Sequence, residues 1–210
     1  MRERCLRLCS LLGTQLEKAP SFQGKYRKRD HFCSREKALF DHGRLNAGQK
    51  VLIHGGAGGV GSFAIQLAAW KGAFVATTVS EANVEFVRKL GATEIIDYRK
   101  ARFEEDVKDA DVVLDLVGGD TSKRSFDAIK EGGRVVTVAA SSELTEDPKV
   151  KEAFFIVEAN RQQLMEIAQL IDAGVLRPIV SEVLLLEAAA QAYFPTKKAN
   201  PGKTVLRLSA

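Results

Sequence analysis

Cysteine is scarce in this chain of 210 residues, and its three cysteines, Cys5, Cys9 and Cys33, all precede residue 38. An odd number of thiols confined to one end cannot cross-link the rest of the chain, so we do not expect a disulfide-stabilised secreted domain. The spacing of Cys5 and Cys9 is not a usual zinc pairing, and no second pair follows within ligand reach. We therefore expect reduced thiols, a cytoplasmic location and no metal site.

Long apolar runs are also lacking, since none approaches the roughly 20 residues that span a bilayer. The chain has 45% hydrophobic and 28% charged residues, a composition typical of a globular domain with a full core. The sequence therefore predicts that no membrane is a partner.

Positive charge is concentrated at one end of the chain. Residues 1–37 contain ten Lys and Arg against four Asp and Glu, whereas the rest contains 21 against 23. The basic run 25–29 is compatible with nucleic-acid contact, but we interpret it as part of a solvated leader and expect no nucleic-acid partner. Residues 2–16 combine arginines with an apolar stripe at helical spacing. An organellar transit peptide is thus an alternative to the cytoplasm, although Glu3 and Glu17 argue against it.

From residue 38 onward, apolar segments alternate with amphipathic ones over short connections. Strands that are apolar on both faces and separated by helices indicate a parallel sheet covered on both sides. With right-handed crossovers, the predicted fold class is α/β, a doubly wound (Rossmann) parallel sheet. The predicted strands are 51–54, 74–79, 94–97, 111–117, 134–139 and 153–157, and the main predicted helices are 60–71, 82–90, 121–129 and 161–173.

A glycine cluster follows the first of these strands. Gly56, Gly58 and Gly61 fit G-x-G-x-x-G. In that motif the first glycine makes a tight turn, the second lets the backbone approach a pyrophosphate, and the third lets the helix pack closely. The strand before the cluster and the amphipathic run after it are the context that the motif requires. The turn therefore predicts a dinucleotide cofactor.

The C-terminal segment follows a different pattern. A strand is predicted over 178–186, a short helix over 187–193 and a second strand over 203–208. Because this strand–helix–strand comes after a complete sheet, we expect it to belong to another structural unit.

Several stretches agree in order and spacing with a known family: DHGRLNAGQKVLIHGGAGGVGSFAIQLAAWKGA, FVRKLGATEIIDYRK, DVVLDLVGG, FFIVEANRQQL, LIDAGVLRPIVSEV and NPGKTVLRL. Over about residues 38–210 the chain resembles the medium-chain dehydrogenase/reductase superfamily, specifically its zinc-independent, quinone-oxidoreductase-like branch. The resemblance implies a dinucleotide-binding Rossmann domain over 38–180. It also implies that residues 181–210 correspond to a segment that completes a GroES-like domain in relatives. Residues 1–37 do not resemble that domain, so we expect a truncated member with a disordered basic leader.

The resemblance assigns the pyrophosphate to the glycine turn. Its predicted contacts are Gly56, Gly58, Gly59, Val60 and Gly61. Lys203 lies near the cofactor in relatives, and here an exposed surface lysine is an equal alternative.

The resemblance also implies a nicotinamide site formed by loops that follow the later strands. Its predicted lining residues are Val117, Gly118, Ala139, Phe155 and Ile156. Each of these residues is alternatively part of the sheet core.

Residues after the second and third predicted strands bear on the choice of cofactor. Ser80 lies where the adenosine ribose arrives, and a neutral residue there favours NADP (NADPH) over NAD, because a carboxylate would repel the 2′-phosphate. Tyr98 matches a family position that reaches this phosphate, and Arg99 and Lys100 add positive charge. Glu81 complicates the prediction, and we interpret it as an acid stabilising the first turn of a helix.

No residue in the matched region is predicted to be a catalytic acid or base. His54 ends a buried strand and is interpreted as a structural imidazole. The leading hypothesis is therefore an NADPH-dependent oxidoreductase that transfers hydride to a small-molecule quinone or other activated carbonyl, with positioning as the protein's main contribution.

Two alternatives remain at this stage. One is a truncated NADP-binding module without turnover, with a homodimer as a way to cover its exposed strands. The other is a short-chain dehydrogenase, because Ser181, Tyr193 and Lys197 imitate the catalytic set of that family. Pro195 argues against the second alternative, since proline breaks the helix that would connect Tyr193 to Lys197.

Overall fold

The computed structural model describes residues 37–156, 160–193 and 201–208. Five parallel strands form its central sheet: β1 (Lys50–His54), β2 (Phe74–Val79), β3 (Glu94–Asp97), β4 (Ala110–Asp115) and β5 (Ile129–Thr137). Their order is β3-β2-β1-β4-β5. The doubly wound parallel sheet expected from the alternating pattern is confirmed.

Helices and short turns connect these strands. A π-helical turn over Lys37–His42 precedes β1, and Asn160 caps the longest helix, since its side-chain oxygen accepts a hydrogen bond from the Gln163 amide at 3.2 Å. The α-helices in the described residues are α1 (Gly61–Trp70), α2 (Val84–Lys89), α3 (Phe103–Asp106), α4 (Asp120–Arg124), α5 (Pro148–Ala153), α6 (Arg161–Asp172) and α7 (Ala189–Tyr193).

The central strand β1 marks the point where the strand order reverses. Val51 of β1 pairs with Val75 of β2 on one side and with Val112 of β4 on the other. From β1 the chain first builds β2 and β3 outward, and then returns to add β4 and β5 on the opposite side. In open parallel sheets, ligands bind at such a reversal, outside the carboxyl ends of the strands.

Both faces of the sheet are buried. Successive side chains of a strand point to opposite faces, so neighbouring residues of β1 show what covers each face. Ile53 belongs to the apolar cluster that includes Ile65 and Leu67 of α1. Its neighbour Leu52 belongs to the cluster on the other face, with Phe103 and Val107. Residues 51–53 of β1 and 112–114 of β4 are therefore consecutive apolar residues, as expected for central strands covered on both sides.

One predicted helix ends earlier than expected. The helix predicted over 121–129 stops at Arg124, a 3₁₀ turn continues to Asp127, and Ile129 already pairs with Ala110 in the sheet. Sheet pairing overrides local helix preference here, so β5 begins before the predicted residue 134.

The sixth strand predicted over 153–157 is reduced to one isolated bridge in the described part of the chain, between Phe154 and Thr137. The Asp147 side chain accepts hydrogen bonds from the Lys149 and Val150 amides and starts α5. That helix occupies the chain through residue 153. Residue 157 lies outside the described residues.

A separate two-stranded parallel sheet joins β6 (Val180–Leu185) to β7 (Lys203–Arg207), with α7 between them in sequence. This confirms the predicted strand–helix–strand. Val183 and Leu185 are 50% and 53% exposed, so the small sheet shows an apolar face that no other described element covers. Within the described ranges, no helix combines the length and the apolar character needed to cross a bilayer.

Candidate functional site

The residues predicted to form the site follow the carboxyl ends of successive parallel strands, so they share one edge of the sheet. The glycine turn follows β1, Ser80 follows β2 and Tyr98 follows β3. The loops after β4 and β5 complete this edge. The edge is therefore built from segments that are distant in sequence.

The glycine turn is packed too closely for side chains at two positions. A Cβ on Gly56 would lie 2.1 Å from Thr77 Oγ1, and one on Gly61 would lie 2.3 Å from the carbonyl oxygen of Gly55. The Gly58 amide donates to that same carbonyl at 2.9 Å. Close packing of the turn against β2 and α1 thus accounts for glycine at 56 and 61.

Helix α1 begins at Gly61, directly after this turn. The Ser62 amide of its first turn already donates to the Gly58 carbonyl at 3.0 Å, so what this end of the helix offers an anion is mainly the partial positive charge of the helix dipole. Gly58 and Gly59 are exposed beside this helix start. The arrangement fits an anion such as a pyrophosphate, and the turn and helix start together would hold it.

Lys203 brings a cation to the same turn. Its Nζ lies 2.8 Å from the point that a Cβ on Gly59 would occupy. Residue 203 begins β7, and its amide donates to the Ile179 carbonyl at 2.9 Å, which holds this part of the chain in place. Lys203 is also exposed, so a role toward a cofactor and a surface lysine both stay open as predictions.

Ser80 and Tyr98 lie at the tips of adjacent strands. Ser80 is buried, and its Oγ accepts a hydrogen bond from Asn83 Nδ2 at 3.2 Å. Tyr98 is 55% exposed, and its backbone amide donates to the Val79 carbonyl at 3.3 Å. The Arg99 guanidinium lies 5.6 Å from the centre of the Tyr98 ring. A neutral hydroxyl, a phenol and a cation are therefore grouped at this end of the edge.

Glu81 forms an ion pair across the same region. Its Oε2 lies 2.9 Å from Lys100 Nζ, and the carboxylate raises the pKa of Lys100 above its ordinary value. Glu81 also begins a short 3₁₀ turn, which agrees with its interpretation as a first-turn acid. Both side chains are well exposed, so the pair is open to exchange with another ion.

The loops after β4 and β5 touch at Gly118. Its φ of +84° is one that side-chain-bearing residues rarely adopt, and a Cβ there would lie 2.0 Å from Ser141 Oγ and 2.9 Å from the Ala139 Cβ. Val117 is exposed, and its Cγ2 lies 3.5 Å from the point that a Cβ on Gly55 would occupy. Val117 therefore lies beside the glycine turn, and the next residue is the one at which the two loops touch.

A buried carboxylate, which the sequence analysis did not single out, holds these two loops. Asp115 is completely buried, and its Oδ1 accepts from the amides of Val117 at 2.9 Å and Gly118 at 3.1 Å. Its Oδ2 accepts from Ser122 Oγ and, at 3.3 Å, from Thr137 Oγ1. In the sequence, the signal for this residue was an aspartate directly after the apolar residues 112–114 of β4.

Phe155 and Ile156 complete the predicted set. The Phe155 amide donates to the Thr137 carbonyl at 3.3 Å, and its ring stacks on His42 with a centroid distance of 4.0 Å and an angle of 19°. Ile156 is exposed. Both residues lie beside β5, and their predicted contact with a nicotinamide stays a prediction.

His54 lies beneath the glycine turn. It is buried, its Nδ1 is 3.1 Å from Thr78 Oγ1, and its ring meets the edge of Phe103 at a centroid distance of 4.3 Å. Burial lowers its pKa to about 4. This is the environment of the neutral structural imidazole that we expected, because a charged ring would be poorly solvated there.

A half-open groove of about 730 Å³ lies at the other end of α1, with Phe40, Trp70 and Lys71 among its lining residues. It contains none of the predicted site residues. In the part of the chain that the structure describes, no group of three or more His, Cys, Asp or Glu side chains is placed to hold a metal ion.

The sequence of the chain was compared with protein families. A family model described as zinc-binding dehydrogenase matches residues 90–206, more than half of the chain. The described residues offer no group of three or more side chains for the metal in that description.

Individual proteins match as well. The chain is 31% identical over 207 residues to a zebrafish (Danio rerio) protein named NAD(P)H oxidoreductase RTN4IP1, mitochondrial, covering 81% of this chain and 53% of that protein. It is 36% identical over 138 residues to an Arabidopsis thaliana NADPH-dependent alkenal/one oxidoreductase, chloroplastic, covering 65% and 34%. The chain thus spans about half or less of the length of these relatives. The solved structure of a Coxiella burnetii quinone oxidoreductase aligns with a TM-score of 0.74 at 32% identity, covering 85% of this chain and 58% of that one.

Proposed function

Since the chain belongs to the medium-chain dehydrogenase/reductase superfamily, in its zinc-independent, quinone-oxidoreductase-like branch, we propose that it binds a nicotinamide dinucleotide and reduces a quinone, an enone or another activated carbonyl. The dinucleotide lies along the carboxyl edge of the sheet. The observation that carries this proposal is the glycine turn, whose packing excludes side chains while α1 and Lys203 direct positive charge at it. Relatives named for oxidoreductases that use NAD(P)H support it.

The protein's own part in this reaction is to bind and orient. The glycine turn and Lys203 hold the pyrophosphate, Ser80 and Tyr98 hold the adenosine end, and Val117 with the β5 loop holds the nicotinamide end. When bound, the cofactor supplies the hydride. Holding donor and acceptor in a fixed orientation accounts for a large part of the rate in such reactions. Hydride transfer leaves an oxyanion or an enolate on the acceptor, and the proton that completes the reduction comes from solvent water.

NADP is the proposed cofactor in preference to NAD. Ser80 places no negative charge at the tip of β2, and Arg99 and Lys100 add positive charge directly after Tyr98 at the tip of β3. The negative charge of Glu81 opposes the preference for NADP, because it would repel the 2′-phosphate. The ion pair with Lys100 neutralises part of that negative charge.

A second candidate function is a cofactor-binding module without turnover. The exposed apolar face of β6 and β7, which includes Val183 and Leu185, favours it, because that face needs a partner in water. A homodimer is one way to cover the face. The cellular location also stays a prediction: the scarcity of cysteine favours the cytoplasm, whereas the relative named as mitochondrial favours a transit peptide over residues 2–16, which lie outside the described residues.

Turnover separates the two functions. The purified full chain is mixed with NADPH and, in separate reactions, 1,4-benzoquinone and a panel of enones, and loss of the nicotinamide absorbance is followed. The matched control is Gly56→Val, whose branched side chain would enter the space of Thr77 Oγ1. Oxidation by the wild type and none by the control supports the reductase. Binding of NADPH with no oxidation on any acceptor supports the module, and absence of binding contradicts both.

A further inference from the structure

The buried carboxylate of Asp115 joins the two loops that would hold the nicotinamide. We propose that Asp115 is the positioning residue for the nicotinamide end of the cofactor, an inference that rests on the proposed function. Asp115 is completely buried, so it acts on the cofactor only through the backbone and side chains that it holds.

Asp115 holds the loop after β4 through backbone hydrogen bonds. One oxygen of Asp115 accepts from two consecutive backbone amides, Val117 at 2.9 Å and Gly118 at 3.1 Å. These two bonds fix the direction in which the chain leaves the strand. The exposed Val117 side chain is thereby held beside Gly55, at the boundary between the glycine turn and the rest of the edge.

The network extends to the loop after β5. The other oxygen of Asp115 accepts from Thr137 Oγ1 at 3.3 Å, and Thr137 Oγ1 in turn accepts from the Ala139 amide at 3.3 Å. Ser142 Oγ lies 3.3 Å from Thr137 Oγ1 and 3.2 Å from Ser122 Oγ. One carboxylate therefore sets the relative position of both loops.

The close approach at Gly118 shows why this connection matters. The Gly118 backbone lies against Ala139 and Ser141 with no room for a side chain, so a small shift of either loop changes the surface that both present. Productive hydride transfer depends on placement within a fraction of an ångström to about 1 Å. The adenosine end, held by β2 and β3, lies outside this network.

This separation gives a readout that general destabilisation does not move. The dissociation constants of NADPH and of 2′-phospho-ADP-ribose, which lacks only the nicotinamide ring, are measured by calorimetry for each variant. For Asp115→Ala we expect NADPH binding to weaken by at least about tenfold, while 2′-phospho-ADP-ribose binding changes by less than about twofold. Asp115→Asn should recover most of the loss, because its remaining oxygen can face the two amides and the hydroxyls can rotate to accept from its NH₂ group.

The matched control is Asp111→Ala, at the opposite end of the same strand. Asp111 accepts from the Lys50 amide at 2.8 Å and from Gln49 Nε2 at 3.2 Å, so its removal disturbs β4 without touching the loops. We expect it to leave the ratio of the two dissociation constants unchanged. If Asp115→Ala does not fold, Thr137→Val tests the same network through a single lost hydroxyl, and it should shift the ratio in the same direction.

Two outcomes contradict the inference, and they differ from failure of the proposed function. If the Asp115 and Thr137 variants weaken binding of both ligands equally, Asp115 has a purely structural role. If these variants leave the affinity for both ligands unchanged, the network does not position the nicotinamide end. If the wild type itself binds the two ligands equally, or binds neither, the nicotinamide site of the proposed function is wrong instead.

Discussion

Replacing Gly61 by alanine tests the tight packing on which the site depends. The added methyl group would lie 2.3 Å from the Gly55 carbonyl oxygen and 2.7 Å from the Gly56 Cα, and both are backbone atoms that cannot turn aside. Overpacking of this kind costs about 3 kcal/mol at the upper end of the usual range. Alanine at a helical position stabilises the folded state by about 1 kcal/mol relative to glycine. We therefore expect a net loss of about 2 kcal/mol, roughly a 30-fold fall in the folding equilibrium constant.

The assay is urea unfolding, with Gly58→Ala as the control variant. A Cβ on Gly58 would lie 3.1 Å from the same carbonyl oxygen, and it would meet no second atom within 4 Å in the described part of the chain. We expect a loss below about 1 kcal/mol for this variant. Equal or greater stability of Gly61→Ala relative to the wild type would refute the packing argument, because helix preference alone predicts that result.

Three further predictions concern single charged or titratable groups. Burial lowers the pKa of His54 to about 4 from an ordinary 6.5. The neutral imidazole therefore contributes about 3 kcal/mol to the free energy of unfolding, complete above pH 6.5 and lost as the pH falls toward 4. Urea midpoints of His54→Gln should lack that dependence on pH, and a dependence equal to that of the wild type would contradict the assignment. Glu81→Gln removes the charge that opposes a 2′-phosphate, so calorimetry should show NADPH binding tighter by about threefold or more with no gain for NADH. Lys203→Met should weaken NADPH binding by about tenfold, whereas Lys71→Met, at the other end of α1, should leave it unchanged. Equal effects of the two lysine variants would place the pyrophosphate elsewhere.

The sheet and the glycine turn were predictable from local pattern, because both depend on residues that are close in sequence. Residues 51–53 of β1 and 112–114 of β4 are buried on both faces, and that burial is visible in the sequence as consecutive apolar residues. Close packing of Gly61 on the preceding turn likewise involves residues 55 and 56.

Features that depend on contacts across the fold were not predictable in the same way. Asp115 meets Thr137 only because β4 and β5 are adjacent, and nothing in the run that contains Asp115 indicates that partner or the link from Thr137 to Ser142. Lys203 was left with two alternatives because its place beside Gly59 depends on how β7 is positioned. The early end of the helix at Arg124 has the same origin, since pairing of Ile129 with Ala110 decides it.

The most direct test of the account is a calorimetric titration of the full chain with NADPH and, separately, with NADH. Dinucleotide binding at the carboxyl edge predicts saturable binding at one site per chain, with NADPH bound more tightly and with Lys203→Met weakening both. Absence of binding by either nucleotide would contradict the central claim. Binding that Lys203→Met leaves unchanged would contradict the placement of the pyrophosphate at the glycine turn.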